Sequence, residues 1–400
     1  MIRSYHARGL IHRRGPVPPV RPESTNPTMR VLFLTDALFT RHEREMVARL
    51  AIGLADEGTR IAWGAPVSLA SRMSDSLLVP VVPYAEPRLG VTLRIRVRNL
   101  LDRVREILDG DPDIVHIFGG GAARLGAEAA RLTGAVPAFE LWRPHLESAV
   151  RPLVNRAMGR RDDESRASSG RVPLIIVPGD AIQRRANQQF PDSVVRKIPW
   201  GVHTTRGERP QNRDSLCMLL MGPGRDAQAW QAAFLASLRI MRHEPRFHLF
   251  ADASTIHRLH LWKPAREAGV LDRLSLIDDA ESQRDLILGA DILLYTDARG
   301  EARTILLDAM AARVTLIAAA DPLADSLIDG RTARLVADVN EAQWVEAIEQ
   351  FVSNPDTRAR LADSALEYVQ QNHRATRQIV SLTDAYEWVA GDSVRIGAES

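Results

Sequence analysis

Ala290-Asp291-Ile292-Leu293-Leu294-Tyr295-Thr296 is followed by Asp297-Ala298-Arg299-Gly300-Glu301-Ala302-Arg303, then by Thr304-Ile305-Leu306-Leu307-Asp308-Ala309-Met310-Ala311. Val314-Thr315-Leu316-Ile317-Ala318-Ala319-Ala320 and Asp325-Ser326-Leu327-Ile328-Asp329-Gly330 come next. A short apolar run, a polar turn, a helical run and a second apolar run make a β-loop-α-β unit. Asp308 is an acid inside its helix. In open parallel sheets, ligands sit outside the carboxyl ends of strands, where such loops open onto helix N-termini. The segment is therefore where a phosphate-bearing ligand is expected.

The same alternation extends outward on both sides, which predicts an α/β protein with parallel sheets. N-terminal strands are expected at residues 31–34, 60–63, 79–82, 114–118, 137–141 and 174–177, with helices at 44–55, 94–108, 122–132 and 146–158. Residues 198–202, Ile-Pro-Trp-Gly-Val, followed by polar residues up to 214, read as an interdomain hinge. A second series follows, with strands at 218–221, 247–250, 274–277, 292–295, 314–317 and 335–337. Its helices are expected at 228–241, 256–268, 283–288, 305–312 and 323–328. Three helical runs close the chain. The domain reading is a basic, Pro-rich tail (1–28), an N-terminal domain (29–199) with a polar loop at 159–171, a C-terminal domain (200–375), and a final helix and tail (376–400). Two α/β domains with a hinge place a cleft between them, a common position for small-ligand sites.

Four hundred residues, 45% hydrophobic and 26% charged, suit a soluble two-domain protein. A net charge of +2 argues against a dedicated nucleic-acid binder. The one cysteine, Cys217, opens an apolar run and reads as a buried inert thiol. A lone cysteine forms no internal disulfide, which fits a cytoplasmic protein. No apolar run approaches the roughly 18 residues needed to span a bilayer. Residues 1–28 lack the apolar core of a secretory signal and read as a solvated tail, or as sequence upstream of a true start at Met29. No Cys/His cluster, serine elbow or Gly-Lys-Ser/Thr loop is present, so no metal or dedicated cofactor is expected.

The segment from Glu301 to Gly330 resembles the donor-sugar region of retaining glycosyltransferases of the GT-B fold, the "glycosyl transferases group 1" family. That family's pattern is a glutamate, seven residues, a second glutamate and Ala-Met-Ala, then Gly-x-Pro, a strand and Glu-x-x-x-Asp-Gly. Here Asp308-Ala309-Met310-Ala311 stands at the second acidic position and Asp325 to Gly330 at the last element. Asp113-Ile114-Val115-His116, residues 175–180 and Ile198-Pro199-Trp200-Gly201-Val202-His203 resemble further family segments. Gly224-Arg225 stands where the family carries the first of two basic groups that hold the donor pyrophosphate. The departures are these: the first glutamate position falls on Gly300, with Glu301 one place late. No lysine follows Arg225 before Trp230, Phe118 replaces a second histidine, and no glycine-rich turn follows the first strand.

The resemblance implies two Rossmann-like domains facing a cleft, the C-terminal one binding a nucleotide-sugar and the N-terminal one an acceptor. It implies transfer of a sugar (hexosyltransferase-like) to an acceptor hydroxyl with retention, the acceptor being a glycan or lipid-linked. Negative charge on a departing diphosphate calls for arginine, lysine or a helix N-terminus. It therefore implies a catalytic role for Arg225 and Glu301, and donor contacts from Gly224, Arg225, Glu301, Arg303, Thr304 and Asp308. His116, Gly119 and Gly120 fall on the acceptor side. By themselves these residues also admit plainer readings: Arg225 and Glu301 as solvent-facing loop charges, Asp308 as a half-buried acid satisfied by Arg303 or backbone, His116 as a core histidine, and the glycines as a tight turn. Arg94-Ile95-Arg96-Val97-Arg98 fits either a solvated helix face or a basic helix resting on the inner face of a membrane. The departures also admit a degenerate member that binds a nucleotide or partner without turnover. Arg303 is the candidate to replace the missing lysine.

Overall fold

The computed structural model describes residues 28–73, 78–86, 93–158, 172–204, 215–222, 224–278 and 280–398. The expected tail up to residue 27, the polar loop 159–171 and the polar run at 205–214 lie outside the described residues.

The first sheet is built from β1 (Arg30–Thr35), β2 (Arg60–Pro66), β3 (Val81–Tyr84), β4 (Ile114–Phe118), β5 (Val136–Glu140), β6 (Leu174–Val177) and β7 (Val194–Lys197). The second comprises β8 (Leu216–Met221), β9 (Phe247–Asp252), β10 (Leu274–Ile277), β11 (Ile292–Tyr295), β12 (Thr315–Ala319) and β13 (Arg334–Val336). Their orders are β3-β2-β1-β4-β5-β6-β7 and β10-β9-β8-β11-β12-β13. Neighbouring strands run parallel, with Val31 opposite both Ile61 and Ile114, and Met218 opposite both Leu249 and Ile292. The strands are apolar on both faces because helices cover both faces; β4 and β12 are buried throughout.

The first domain carries α1 (Ala37–Asp56), α2 (Val67–Met73), α3 (Leu93–Leu108), α4 (Gly120–Thr133), α5 (Leu146–Met158) and α6 (Asp180–Gln189). The second carries α7 (Ala227–His243), α8 (Ala253–Arg258), α9 (Trp262–Ala268), α10 (Ala280–Ile287), α11 (Thr304–Ala311), α12 (Glu341–Val352) and α13 (Pro355–Asn372). The last helix, α14 (Ala375–Ala398), returns to pack on α1 of the first domain.

The connection is anchored by backbone. Val202 N–H donates to His373 O at 2.8 Å, and Ala375 N–H to Val202 O at 3.1 Å. Gly201 is required there: a Cβ would lie 2.6 Å from Arg374 O and 2.7 Å from Ala375 Cα. Trp200 is buried, its Nε1–H donating to Glu140 Oε1 at 2.6 Å.

Several elements differ from the sequence expectation. Helix α1 begins seven residues earlier than expected, because the Asp36 side chain caps it by accepting from Phe39 N–H at 2.8 Å. It kinks at Glu43, whose φ of −127° and ψ of 19° are not helical, and the kink breaks the apolar periodicity. The single helix expected at 256–268 is two short ones, separated by His260 at φ 54°. Residues 323–328 form turns instead of a helix: Thr332 Oγ1 donates to Ser326 O and accepts from Ile328 N–H, holding the segment as a loop. Strand β7 was not anticipated; among the described residues it is an edge strand with one neighbour, and half its residues are charged.

Candidate active site between the two domains

Each sheet reverses its winding once, between β1 and β4 and between β8 and β11. The crevices beyond the carboxyl ends of those strands are where such sheets bind ligands. In the second domain, Gly224 and Arg225 follow β8, while Thr296, Asp297, Glu301 and Arg303 follow β11 and lead into α11. Gly224 adopts φ 55°, a left-handed conformation suited to glycine. Asp297 ties the two loops together, Oδ1 accepting from Arg225 N–H at 3.1 Å and from Asp226 N–H at 3.4 Å. Burial pushes its carboxyl above the usual range. Its Oδ2, the Tyr295 hydroxyl and Thr296 Oγ1 are buried without a hydrogen-bond partner.

Three arginine–acid pairs fill the space between the domains. Arg225 Nη1 contacts Glu301 Oε1, which Arg143 Nη1 also approaches at 3.5 Å; Glu301 is buried. Arg303 Nε donates to Glu43 Oε1 at 2.9 Å, joining the loop after β11 to the kink of α1. Arg284 Nη1 contacts Asp308 Oδ2, while Arg284 Nη2 donates to Thr304 Oγ1 at 2.6 Å and to His42 O at 2.8 Å. Burial disfavours the charge on Arg303, but Tyr295, Glu43 and Glu301 more than offset it, so its pKa is raised. Burial raises the Asp308 carboxyl, against the pull of Arg284 and Arg49. His42 reports the charge of the whole region: burial, with Arg303, Arg225, Arg41 and Arg284 around it, lowers its pKa to about 2. The imidazole is therefore neutral across the physiological range.

The sequence candidates fall into two groups. Arg225, Glu301, Arg303, Thr304 and Asp308 come together at one interdomain region, facing Arg143, Glu43 and Arg49 of the first domain, whereas Gly224 is held within the second domain, its carbonyl accepting from Arg258 Nη2 at 3.0 Å. The partner of Asp308 is Arg284, not Arg303. His116 lies elsewhere, in the core of the first domain: Nδ1 is 2.6 Å from the Tyr386 hydroxyl and Nε2 is 3.2 Å from Glu140 Oε2, so both ring nitrogens are engaged. Gly119 and Gly120 open α4, but the adjacent Gly121 N–H already donates to Asp36 Oδ2 at 3.0 Å. A Cβ on Gly119 would meet that carboxylate at 2.3 Å. The glycines thus make room for Asp36. Cys217 is half-buried at the start of β8.

Glu43, Arg284, His42 and Asp297 were not singled out by sequence. Asp297 is two residues beyond the buried strand β11, and that position is the sequence signal for it. Glu43 and Arg284 belong to helices whose placement depends on how the domains dock. Asp325, in the element matched by the last family motif, also reaches across: its Oδ2 accepts from Ala181 N–H of α6 at 3.0 Å. Beside it is a cavity of about 330 Å³ bordered by Trp200, Arg303, Leu306, Leu323, Tyr368 and Arg377. Leu306 is on the face of α11 opposite Thr304. Among the described residues, no group of three His, Cys, Asp or Glu side chains is placed to hold a metal ion, and no helix is long and apolar enough to cross a membrane.

Solved structures share this architecture. A glycosyltransferase from Rickettsia africae ESF-5 superposes with a TM-score of 0.67 at 11% identity, over 91% of this chain and 99% of that one. HepE of Anabaena, solved with UDP and glucose, gives 0.67 at 15% identity over 89% and 98% of the two chains. Sucrose-phosphate synthase from Thermosynechococcus elongatus gives 0.66 at 13% identity over 91% and 100%. No protein-family model matches the sequence, and no match was found among curated proteins. The two parallel-sheet domains of this chain have the GT-B fold.

Proposed function

We propose that the protein is a retaining glycosyltransferase that moves a sugar from a nucleotide-sugar to an acceptor hydroxyl. The observation that carries this reading is the gathering of Arg225 on buried Glu301, and of Arg303 and the N-terminus of α11 on buried Glu43, beyond the carboxyl ends of β8 and β11. A departing nucleoside diphosphate accumulates negative charge. Arg225 and Arg303 would stabilise that charge, with Arg303 standing in for the lysine missing after Arg225. Asp308 would hold the ribose hydroxyls and Glu301 would orient the sugar ring. The leaving phosphate can accept the acceptor's proton, so His116 need not act as a base in the core position it occupies. The structures of HepE with UDP and with UDP-glucose are consistent with a nucleotide-sugar in this cleft.

The acceptor, a glycan or a lipid-linked one, would meet the first domain. Peripheral contact at the inner face of a membrane would involve α3, which exposes Arg94, Ile95 and Arg98 while Val97, Leu100, Leu101 and Val104 pack inward. The buried stripe shows that this helix already has an apolar partner in its own domain.

The test is thermal shift and calorimetric titration of the purified protein with UDP-, GDP- and ADP-sugars. Arg225→Ala and Asp308→Ala run beside it, followed by NMR assignment of the product's anomeric configuration. Stabilisation by one donor class, lost in both variants, is expected. A folded protein that responds to no donor overturns the reading. A second reading, a nucleotide or partner binder without turnover, is favoured by the three arginine–acid pairs that leave each donor-side arginine already matched within the chain. Tight nucleotide binding with no transfer or donor hydrolysis would select it.

A further inference from the structure

Glu43 occupies a setting usually made for an anion. Its Oε1 accepts from Arg303 Nε at 2.9 Å. Its Oε2 accepts from Thr304 N–H at 3.3 Å, from the Thr304 hydroxyl, and from Arg284 Nη2 at 3.4 Å. A helix N-terminal amide, a hydroxyl and two guanidinium groups form a cradle of the kind that holds phosphate oxygens. Every one of those donors belongs to the C-terminal domain, whereas the carboxylate comes from the N-terminal domain. Glu43 is fully buried, and it reaches the cradle from the one non-helical position inside α1. A second feature points to a ligand: buried Arg303 keeps Nη1 without a hydrogen-bond partner. A single carboxylate leaves part of the cradle's donor capacity unused, which a larger polyanion would fill.

We infer that Glu43 is an intrachain occupant of this anion cradle, latching the two domains together, and that a diphosphate-bearing ligand binds by displacing it. This rests on the reading that the cleft takes a nucleotide-sugar, and it adds a competitor specific to this chain. The latch makes the open, ligand-competent state a minor population, and the apparent affinity falls by that fraction. Removing the charge of Glu43 should therefore tighten binding.

The experiment is isothermal titration of the full chain with inorganic pyrophosphate and with UDP, GDP and ADP. Wild type is compared with Glu43→Gln, and with Glu45→Gln as a neighbour that makes the same change in net charge. Glu43→Gln is expected to bind pyrophosphate and one nucleotide at least tenfold more tightly than wild type, with Glu45→Gln unchanged. Glu43→Asp, one methylene shorter, should fall between and serves as the test if the glutamine variant does not fold. Hydrogen exchange supplies an independent readout. Pyrophosphate added to wild type should raise exchange in residues 40–46 while protecting the Thr304 amide. Equal or weaker binding by Glu43→Gln, an equal gain in Glu45→Gln, or no exchange response in residues 40–46 overturns the latch. The two proposals fail separately. Tighter pyrophosphate binding without any nucleotide-sugar binding keeps the latch and removes the donor reading. Donor binding lost in Arg225→Ala but unaltered in Glu43→Gln does the reverse.

Discussion

Replacing Arg303 with methionine isolates the energetics of the interdomain ion pairs. Arg303 and Glu43 are both buried, 7% and 0% exposed, and joined at 2.9 Å. Removing one partner of a buried pair costs about 3–5 kcal/mol, because the remaining charge loses its compensation. Here Arg284 and the two Thr304 donors still face Glu43, so the expected loss is smaller, about 2–3 kcal/mol. At roughly 2–4 °C per kcal/mol for domains of 150–250 residues, that is about 5–10 °C in Tm. Glu43→Gln retains a neutral acceptor for Thr304 and should cost only about 1–2 kcal/mol. The informative variant is the double one. Once Glu43 is neutral, losing Arg303 leaves no uncompensated charge, so the double variant should be no less stable than Arg303→Met alone. Denaturant and thermal melts of the four proteins give the cycle. Additivity within about 0.5 kcal/mol would refute the reasoning, since it would mean that the two charges do not compensate each other. A loss below about 1 kcal/mol for Arg303→Met would refute the claim that breaking this pair strands a buried charge.

Two further perturbations probe the same region and the hinge. His42 takes up a proton below about 6.5 when unfolded and not until about pH 2 when folded, so acidification from 6.5 downward favours the unfolded state. The slope limit is ~1.4 kcal/mol per pH unit; partial exposure of His42 should reduce it to about 1 kcal/mol between pH 7 and 5.5. Plots of Tm against pH for wild type and His42→Asn should therefore diverge below neutrality, and parallel plots would contradict the burial and the cationic surroundings that lower its pKa. At the hinge, Gly201→Ala sets a methyl 2.6 Å from Arg374 O and 2.7 Å from Ala375 N. Because backbone cannot rotate away, this should cost about 1–3 kcal/mol and open the 372–375 segment to protease; an unchanged melt and digest would show that α14 is not anchored there.

Apart from β7, the strands and their parallel pairing were legible because each is a short apolar run set apart by polar turns, a local property of the sequence. The boundaries that failed did so for local reasons as well. Asp36 caps α1 ahead of apolar residues, and Thr332 holds as a loop a segment whose spacing looks helical. Arg225, Glu301, Arg303 and Asp308 were recognisable as charges at the edges of buried strands and in an apolar helix. Their partners were not, because pairing is set by docking. Glu43 is 260 residues from Arg303, and Tyr386 is 270 from His116. Trp200 at the hinge is similar: its indole is the donor that engages the free oxygen of Glu140, which links the hinge to the His116 network.

On the latch proposal, the charge arrangement would couple the cleft's response to a ligand to domain position. Arg225 is matched by Glu301, Arg284 by Asp308 and Arg303 by Glu43. A diphosphate bound there would compete with these acids for the same guanidinium groups. Glu301 and Asp308 lie in the same domain as their partners, and side-chain rotation alone could free Arg225 or Arg284. Glu43 comes from the opposite domain and is fixed by the α1 kink, with its backbone carried on the first sheet through Asp36 and Thr40, whose N–H donates to Asp36 O at 2.9 Å. Moving its backbone away from Arg303 takes the domains apart, which also draws Trp142 O from Ala302 N–H, now 2.8 Å away. If a diphosphate displaces Glu43, ligand affinity and interdomain geometry form one equilibrium, and a substitution at Glu43 is expected to alter both.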